Sequence, residues 1–209
     1  MWAGRSGPVK VQGSGRGMFV AVVGPSGAGK DTLLDGARRR LEADARFRFV
    51  QRSITRSEAA GGEAHEAVTR EHFLARRAAG GFALWWEAYG LLYGIPRDIE
   101  ADLAGGRVVI ANLSRGVLVE AAVRYRLRVL EVTAPAAALA ARLAARGRED
   151  VADIATRLAR EAPLPPGLDV ETVVNDADVA EGVARVAAVL TRAAEDAPRP
   201  GKAHRALPG

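Results

Sequence analysis

The stretch Gly24-Pro25-Ser26-Gly27-Ala28-Gly29-Lys30-Asp31-Thr32-Leu33-Leu34 decides how this chain is read. It follows a short apolar run, Met18-Phe19-Val20-Ala21-Val22-Val23, and opens a segment of helical patterning. A G-x-x-x-x-G-K loop between a strand and a helix is a cradle for phosphate groups. Its glycines let backbone N–H groups crowd around an anion, and its lysine reaches the outer phosphates. The helix starting near Gly29 aims the positive end of its dipole at the same point. One residue departs from the common pattern. Ser or Thr usually follows the lysine and holds Mg²⁺ through its hydroxyl, whereas this chain has Asp31, then Thr32. A carboxylate is a good hard ligand for Mg²⁺. The expected site therefore has Gly24, Pro25, Ser26, Gly27, Ala28, Gly29 and Lys30 around the phosphates, with Asp31 or Thr32 at the metal.

The chain has 209 residues, which suits one domain of about 180 ordered residues with tails. Hydrophobic content of 48% and charged content of 26% are ordinary for a globular protein with a full core. The absence of cysteine excludes a disulfide framework and a Cys-based metal site. His65, His72 and His204 are too scattered to suggest zinc. No apolar run approaches a membrane span, and the N-terminus lacks an apolar signal-peptide core. A cytoplasmic enzyme with no membrane partner is expected. The net charge of +5 comes from arginine far more than lysine. There is no basic stripe interleaved with aromatics, so no nucleic-acid partner is expected.

Residues 1–17 are rich in Gly and Ser and read as a flexible leader. Met18 directly precedes the first strand and is a candidate start. Residues 195–209 read as a disordered tail, which leaves 18–194 as the folded domain. Between the tails, strand-like runs fall at 18–23, 47–54, 82–86, 107–111, 127–132 and 170–174. Helical patterns fall near 30–43, 69–79, 97–104, 114–124, 135–146, 151–161 and 178–194. The nearly all-apolar runs at 18–23, 107–111 and 127–132 are those of strands buried on both faces. The alternation predicts an α/β fold, a parallel sheet with helices on both faces. Ligands then sit at the carboxyl ends of the strands.

Four later constellations fall where such a site needs them. Arg56 follows the second strand, at a place for an anion-binding residue or for a plain surface arginine. Trp85, Trp86, Tyr89 and Tyr93 cluster around a short hairpin with Gly90 and Gly94, either a wall against a substrate or an apolar hairpin packed on the core. Asn112 and Ser114 end the 107–111 strand. Either can cap the next helix, and either can face the phosphate loop. Arg142 and Arg146 lie four apart on one helix face, Gly147 breaks the helix and Arg148 follows, with Arg157 and Arg160 beyond. This is a solvated charged helix or a lid that brings positive charge to a moving phosphate. Asn175 and Asp176 end the last strand, as caps or near a purine base.

Taken together these pieces resemble the guanylate-kinase branch of the P-loop kinases, and within it the ribose 1,5-bisphosphate phosphokinases of bacterial phosphonate degradation. The resemblance covers about 18–190. It rests on GPSGAGKDTLL, ITR at 54–56, GGEAHEAVTREHF at 61–73, YGIP at 93–96, NLSR at 112–115, RLAARGRED at 142–150 and VVND at 173–176. It implies ATP and Mg²⁺ as cofactors and a small sugar phosphate as partner, with an acceptor-binding region at about 52–96 and a lid at about 144–156. Lys30 with Arg142, Arg146 and Arg148 would be catalytic, and Asn175 would lie near adenine. Arg56, His65, Tyr93, Asn112, Ser114, Arg115 and Arg157 would bind the substrate.

Matched by offset, the positions that read guanine in guanylate kinases carry Arg52 and Leu84 here. The second arginine of their acceptor site falls near Ala59, and their phosphate-binding tyrosine falls on His65. The family often has His or Asn before the hairpin glycine, where this chain has Tyr89. A guanylate-type kinase is the first alternative. A non-catalytic guanylate-kinase-like module is the second, which has no use for Lys30 or the arginine lid.

Overall fold

The structure is a computed structural model, and it describes residues 16–57, 64–144 and 163–197. In chain order the strands are β1 (Met18–Val23), β2 (Phe47–Phe49), β3 (Ser53–Ile54), β4 (Glu66–Ala67), β5 (Phe82–Ala88), β6 (Leu91–Pro96), β7 (Val108–Asn112), β8 (Leu127–Thr133) and β9 (Val170–Val174). The helices are α1 (Lys30–Leu41), α2 (Arg70–Ala78), α3 (Ile99–Ala104), α4 (Leu118–Arg124), α5 (Ala136–Ala144) and α6 (Val179–Asp196).

Two sheets result. The central one is parallel throughout, in the order β2-β7-β1-β8-β9. β1 is buried along its whole length because both sets of its alternating side chains face protein. Met18, Val20 and Val22 join a cluster with Leu33 and Ala37 of α1 and Val186, Leu190 and Ala193 of α6. Phe19, Ala21 and Val23 join another with Ile99 and Leu103 of α3 and Leu118 and Ala121 of α4. Helices thus cover both faces, as expected.

The second sheet, β4-β3-β6-β5, is mostly antiparallel. Ile54, Tyr93 and Trp86 pair across β3, β6 and β5, so they share one face. Trp86 and Ile95 pack into the cluster around β7 and α4. The opposite face packs Phe82, Leu92 and Trp85 on Phe73 of α2. The hairpin turns at Tyr89 (φ 52°) and Gly90 (φ 72°), both left-handed.

Three differences from the expected elements have physical reasons. The run 47–54 is two strands, not one. The Val50 N–H still donates to the Ile110 carbonyl (2.8 Å), and Ser53–Ile54 then pairs with β6. Hydrophobic pattern alone does not show where a strand changes partner. β4 is only two residues, both exposed, so it has no apolar signature. α6 continues to Asp196, two residues past its expected end, because Ala193 and Ala197 are buried. The expected helix at 151–161 and the lid at about 144–156 lie outside the described residues, apart from Ala144 at the end of α5.

Candidate active site

The phosphate loop joins β1 to α1 with no room for side chains at its turning points. Gly24 has φ 141°, and a Cβ there would stand 1.9 Å from the Val132 carbonyl oxygen. Gly29 has φ 87°, and a Cβ would stand 2.4 Å from Asn175 Nδ2. Glycine is the residue that meets both demands. The Lys30 ammonium donates to the carbonyls of Gly24 (2.6 Å) and Pro25 (2.7 Å), which holds it across the loop. Asn175, buried after β9, donates from Nδ2 to the Ala28 carbonyl at 2.8 Å. Arg142 of α5 reaches the Gly27 and Asn175 carbonyls, each at 3.4 Å. The fold thus brings Lys30, Asn175 and Arg142 to one loop. Such a loop at a helix N-terminus fits the phosphates of a nucleotide.

Asp31 lies in the first turn of α1, and its Oδ1 accepts from Asn112 Nδ2 at the end of β7 (3.3 Å). Thr32 is exposed. Among the described residues no three His, Cys, Asp or Glu side chains cluster to hold a metal by themselves. A single carboxylate such as Asp31 could hold Mg²⁺ only together with substrate phosphates, which is the usual manner for this ion.

Beside Asp31 a pocket of about 250 Å³ is lined by Leu34, Asp35 and Arg38 of α1, Phe49 of β2 with Val50 to Arg52 after it, Ala64, and Ile110 to Asn112 of β7. Asp35 and Arg38 follow Asp31 by four and seven residues on one helical face, a spacing visible in the sequence but not used there. A second pocket of about 430 Å³ is lined by Thr55, Arg56, Ser57, Ala67, Val68, Thr69, Arg70 and Gly90.

Arg56 and His65 meet at the edge of the second sheet. His65 is buried, its Nε2 lies 3.1 Å from the Arg56 carbonyl, and its Nδ1 lies 3.4 Å from Arg56 Nη2. Behind them, Arg76 of α2 donates to Glu66 Oε2 at 2.8 Å, and the Ser53 hydroxyl donates to the same oxygen. The Ser53 hydrogen bond, aided by Arg76, holds the Glu66 carboxyl below its ordinary pKa against the opposing effect of burial. On the other face, Tyr93 stacks on Trp86, with ring centroids 5.4 Å apart and planes 6° from parallel.

The remaining expected site residues are less concentrated. Ser114 occupies an N-cap position without a side-chain capping bond. Arg115 donates to Glu131 of β8 at 3.1 Å. The cap before α6 is Asp178, which accepts from the Glu181 N–H, rather than Asn175 or Asp176. Arg146, Arg148 and Arg157 lie outside the described residues.

No family profile matches the chain. Its fold is similar to the crystal structure of guanylate kinase from Anaplasma phagocytophilum, with TM-score 0.61 and 19% identity over 85% of this chain and 86% of that one. The chain is 50% identical over 182 residues to the ribose 1,5-bisphosphate phosphokinase of Pseudofrankia inefficax, covering 86% of this chain and 94% of that protein. It is 49% identical over 166 residues to the protein of that name from Brucella melitensis, covering 78% and 86%. A bifunctional ribose 1,5-bisphosphokinase-thymidine phosphorylase from Azorhizobium caulinodans is 48% identical over 178 residues, and the matched region spans 84% of this chain but only 26% of that longer protein. With about half of its residues shared across nearly the whole length of single-function relatives, the chain belongs to the ribose 1,5-bisphosphate phosphokinase family.

Proposed function

We propose that this protein transfers the γ-phosphoryl group of ATP to the 1-phosphate of ribose 1,5-bisphosphate, giving 5-phosphoribosyl 1-diphosphate and ADP in phosphonate breakdown. The observation that carries the reading is that Asp31, next to the loop lysine Lys30, meets Asn112 in a pocket that Arg52 also lines. An oxygen of the 1-phosphate forms the new bond to the γ-phosphorus as the β–γ bridging P–O bond breaks. That oxygen is already anionic near neutral pH, so no strong general base is required. Catalysis rests on alignment and charge neutralisation.

The roles follow from position. Lys30 and the loop amides hold the nucleotide phosphates, and Asn175 keeps the loop in shape from behind. Asp31 holds Mg²⁺ directly or through water, oriented by Asn112. The ion supplies charge neutralisation at the phosphates. Arg142 lies at the loop's flank, Arg146 and Arg148 are proposed to bring further positive charge from the lid, and Arg157 to bind the acceptor. Arg56, His65 and Tyr93 form the acceptor side, with Ser114 and Arg115 supporting the end of β7. Residues 18–194 form the kinase domain in this reading. Among the described residues no helix is long and apolar enough to cross a membrane.

The test is incubation with ATP, Mg²⁺ and ribose 1,5-bisphosphate, with GMP in a parallel reaction, followed by phosphorus NMR. New diphosphate resonances in the sugar reaction alone are expected. GDP in the GMP reaction alone would assign a guanylate-type kinase instead. Transfer to neither acceptor would favour a binding module.

A further inference from the structure

We infer that Arg185 of α6 is a positioning residue for the phosphate loop. It clamps the chain on either side of Asn175, and Asn175 in turn holds the loop in the shape that receives phosphate. That the loop receives the phosphates of ATP rests on the kinase reading above.

Asn175 follows β9, the edge strand of the central sheet among the described residues, and it is buried. Its side chain packs against two glycines. A Cβ on Gly29 would stand 2.4 Å from Nδ2, and one on Gly182 of α6 would stand 3.5 Å from Oδ1. The Asn175 N–H donates to the Thr133 carbonyl at 2.7 Å, and Nδ2 donates to the Ala28 carbonyl at 2.8 Å. One residue therefore ties the end of β8 to the phosphate loop. A short side chain makes that tie only if the backbone of residues 174–176 is held in place.

Arg185 holds it. Its Nη1 donates to the Val174 carbonyl at 2.9 Å and to Asp176 Oδ1 at 2.9 Å, the residues just before and just after Asn175. Its Nη2 donates to Glu181 Oε1 at 2.5 Å, one turn earlier on α6. The Glu181 N–H is itself held by the Asp178 cap at 2.8 Å. A guanidinium suits this place because its rigid fork of donors can serve several acceptors at once. Taken alone, Glu181 and Arg185 are an ordinary i,i+4 surface pair, and an exposed pair of that kind adds little to stability. The contacts on both sides of Asn175 give Arg185 a different task, which is placement. A loop already in its bound shape has less freedom to lose when it closes on an anion, so loosening the brace weakens nucleotide binding.

The experiment measures equilibrium binding of MgATP and steady-state kinetics for wild type, Arg185→Ala, Arg185→Lys, Asn175→Ala and the double variant with both alanines. Arg192→Ala is the control, because Arg192 also ties α6 to β9, through Glu171, at a place away from Asn175. For Arg185→Ala, the Kd for MgATP and the KM for ATP are expected to rise about 3- to 10-fold. The KM for ribose 1,5-bisphosphate should stay unchanged, a split that a general loss of folding would not give. Arg185→Lys should fall between, since it keeps the charge but not the fork. Arg192→Ala should bind MgATP as wild type does. In the double variant, loss of Arg185 should add little to loss of Asn175, because one acts through the other. Unchanged MgATP affinity in Arg185→Ala, equal weakening in Arg192→Ala, or full additivity in the double variant would overturn the inference and leave the kinase reading in place. Wild type that binds no MgATP would overturn the kinase reading and this inference with it.

Discussion

The phosphate-loop side and the proposed acceptor side of this protein are built by different means. Around Gly24–Lys30 the donors are backbone amides shaped by left-handed glycines, and side chains such as Asn175 and Arg142 brace the loop through its carbonyls. On the second sheet the charged groups are side chains, with Arg52 over the Tyr93 and Trp86 rings and Arg56 against His65. A backbone site tolerates little change of residue type, because each glycine answers a steric demand. A side-chain site can change its ligand by changing one residue. The contrast fits a phosphate loop of the common kinase pattern joined to a proposed acceptor wall with Arg52 and Leu84 at the expected guanine-reading positions.

Substitutions can break or sharpen the contrast. The largest effect is expected for Lys30→Ala, with kcat lower by about 10²–10³-fold, as for loss of one transition-state donor. Steady-state kinetics on folded protein would check it, and an activity within a few-fold of wild type would remove Lys30 from the catalytic set. Asn175→Ala should come next. It leaves the Ala28 carbonyl without its 2.8 Å donor, at a cost of about 1–3 kcal/mol in urea unfolding. A rise in the KM for ATP with no loss of stability would instead assign Asn175 to the nucleotide rather than to bracing the loop.

On the acceptor side the expected effects are smaller. Glu66 has its carboxyl pKa lowered from an ordinary value of 4.5, chiefly by the Ser53 hydrogen bond. Its contribution to stability is therefore present above the unfolded value and is lost as pH falls through the folded one. Between about pH 6 and about pH 3, Glu66→Gln should lose less of its urea midpoint than wild type does. Because Glu66 is largely exposed, solvent screening keeps this difference small. Identical acid profiles would show that the Ser53–Glu66–Arg76 contact does not stabilise the sheet.

Tyr89→Asn should give the smallest change and the opposite sign. Tyr89 holds φ 52° before Gly90, and Asn-Gly is the favoured pair for such a turn. A gain of about 0.5–1 kcal/mol is expected, or about 1–4 °C in Tm. An Asn at this position would then have a backbone reason that needs no substrate contact. A lower Tm would show that Tyr89 contributes more through its contacts than its conformation costs.

Some of this was legible before any coordinates. The loop, its strand and its helix were, because they are contiguous and each residue's role depends on its neighbours. The buried strands were legible for the same reason, since continuous apolar runs need both faces covered. The second sheet was only partly legible. Its hairpin showed in Gly90 and Gly94, but β4 has two exposed residues and no apolar pattern. The split of 47–54 depends on Val50 still pairing with Ile110 before Ser53 pairs with Gly94. Arg52 stood out only as an absent guanine reader.

The sequence by itself determined the P-loop, the parallel sheet and the kinase family, because those follow from local spacing, period and motif order. Only the tertiary structure decided that Asn112 meets Asp31, that Asn175 braces Ala28, and that Trp86 and Tyr93 stack beneath Arg52. Asn112 and Asn175 lie 81 and 147 residues from their partners, and the Arg52 stack depends on strand register. A residue's own type and neighbours do not encode such meetings. They arise when parallel strands bring distant chain ends to one edge of a sheet.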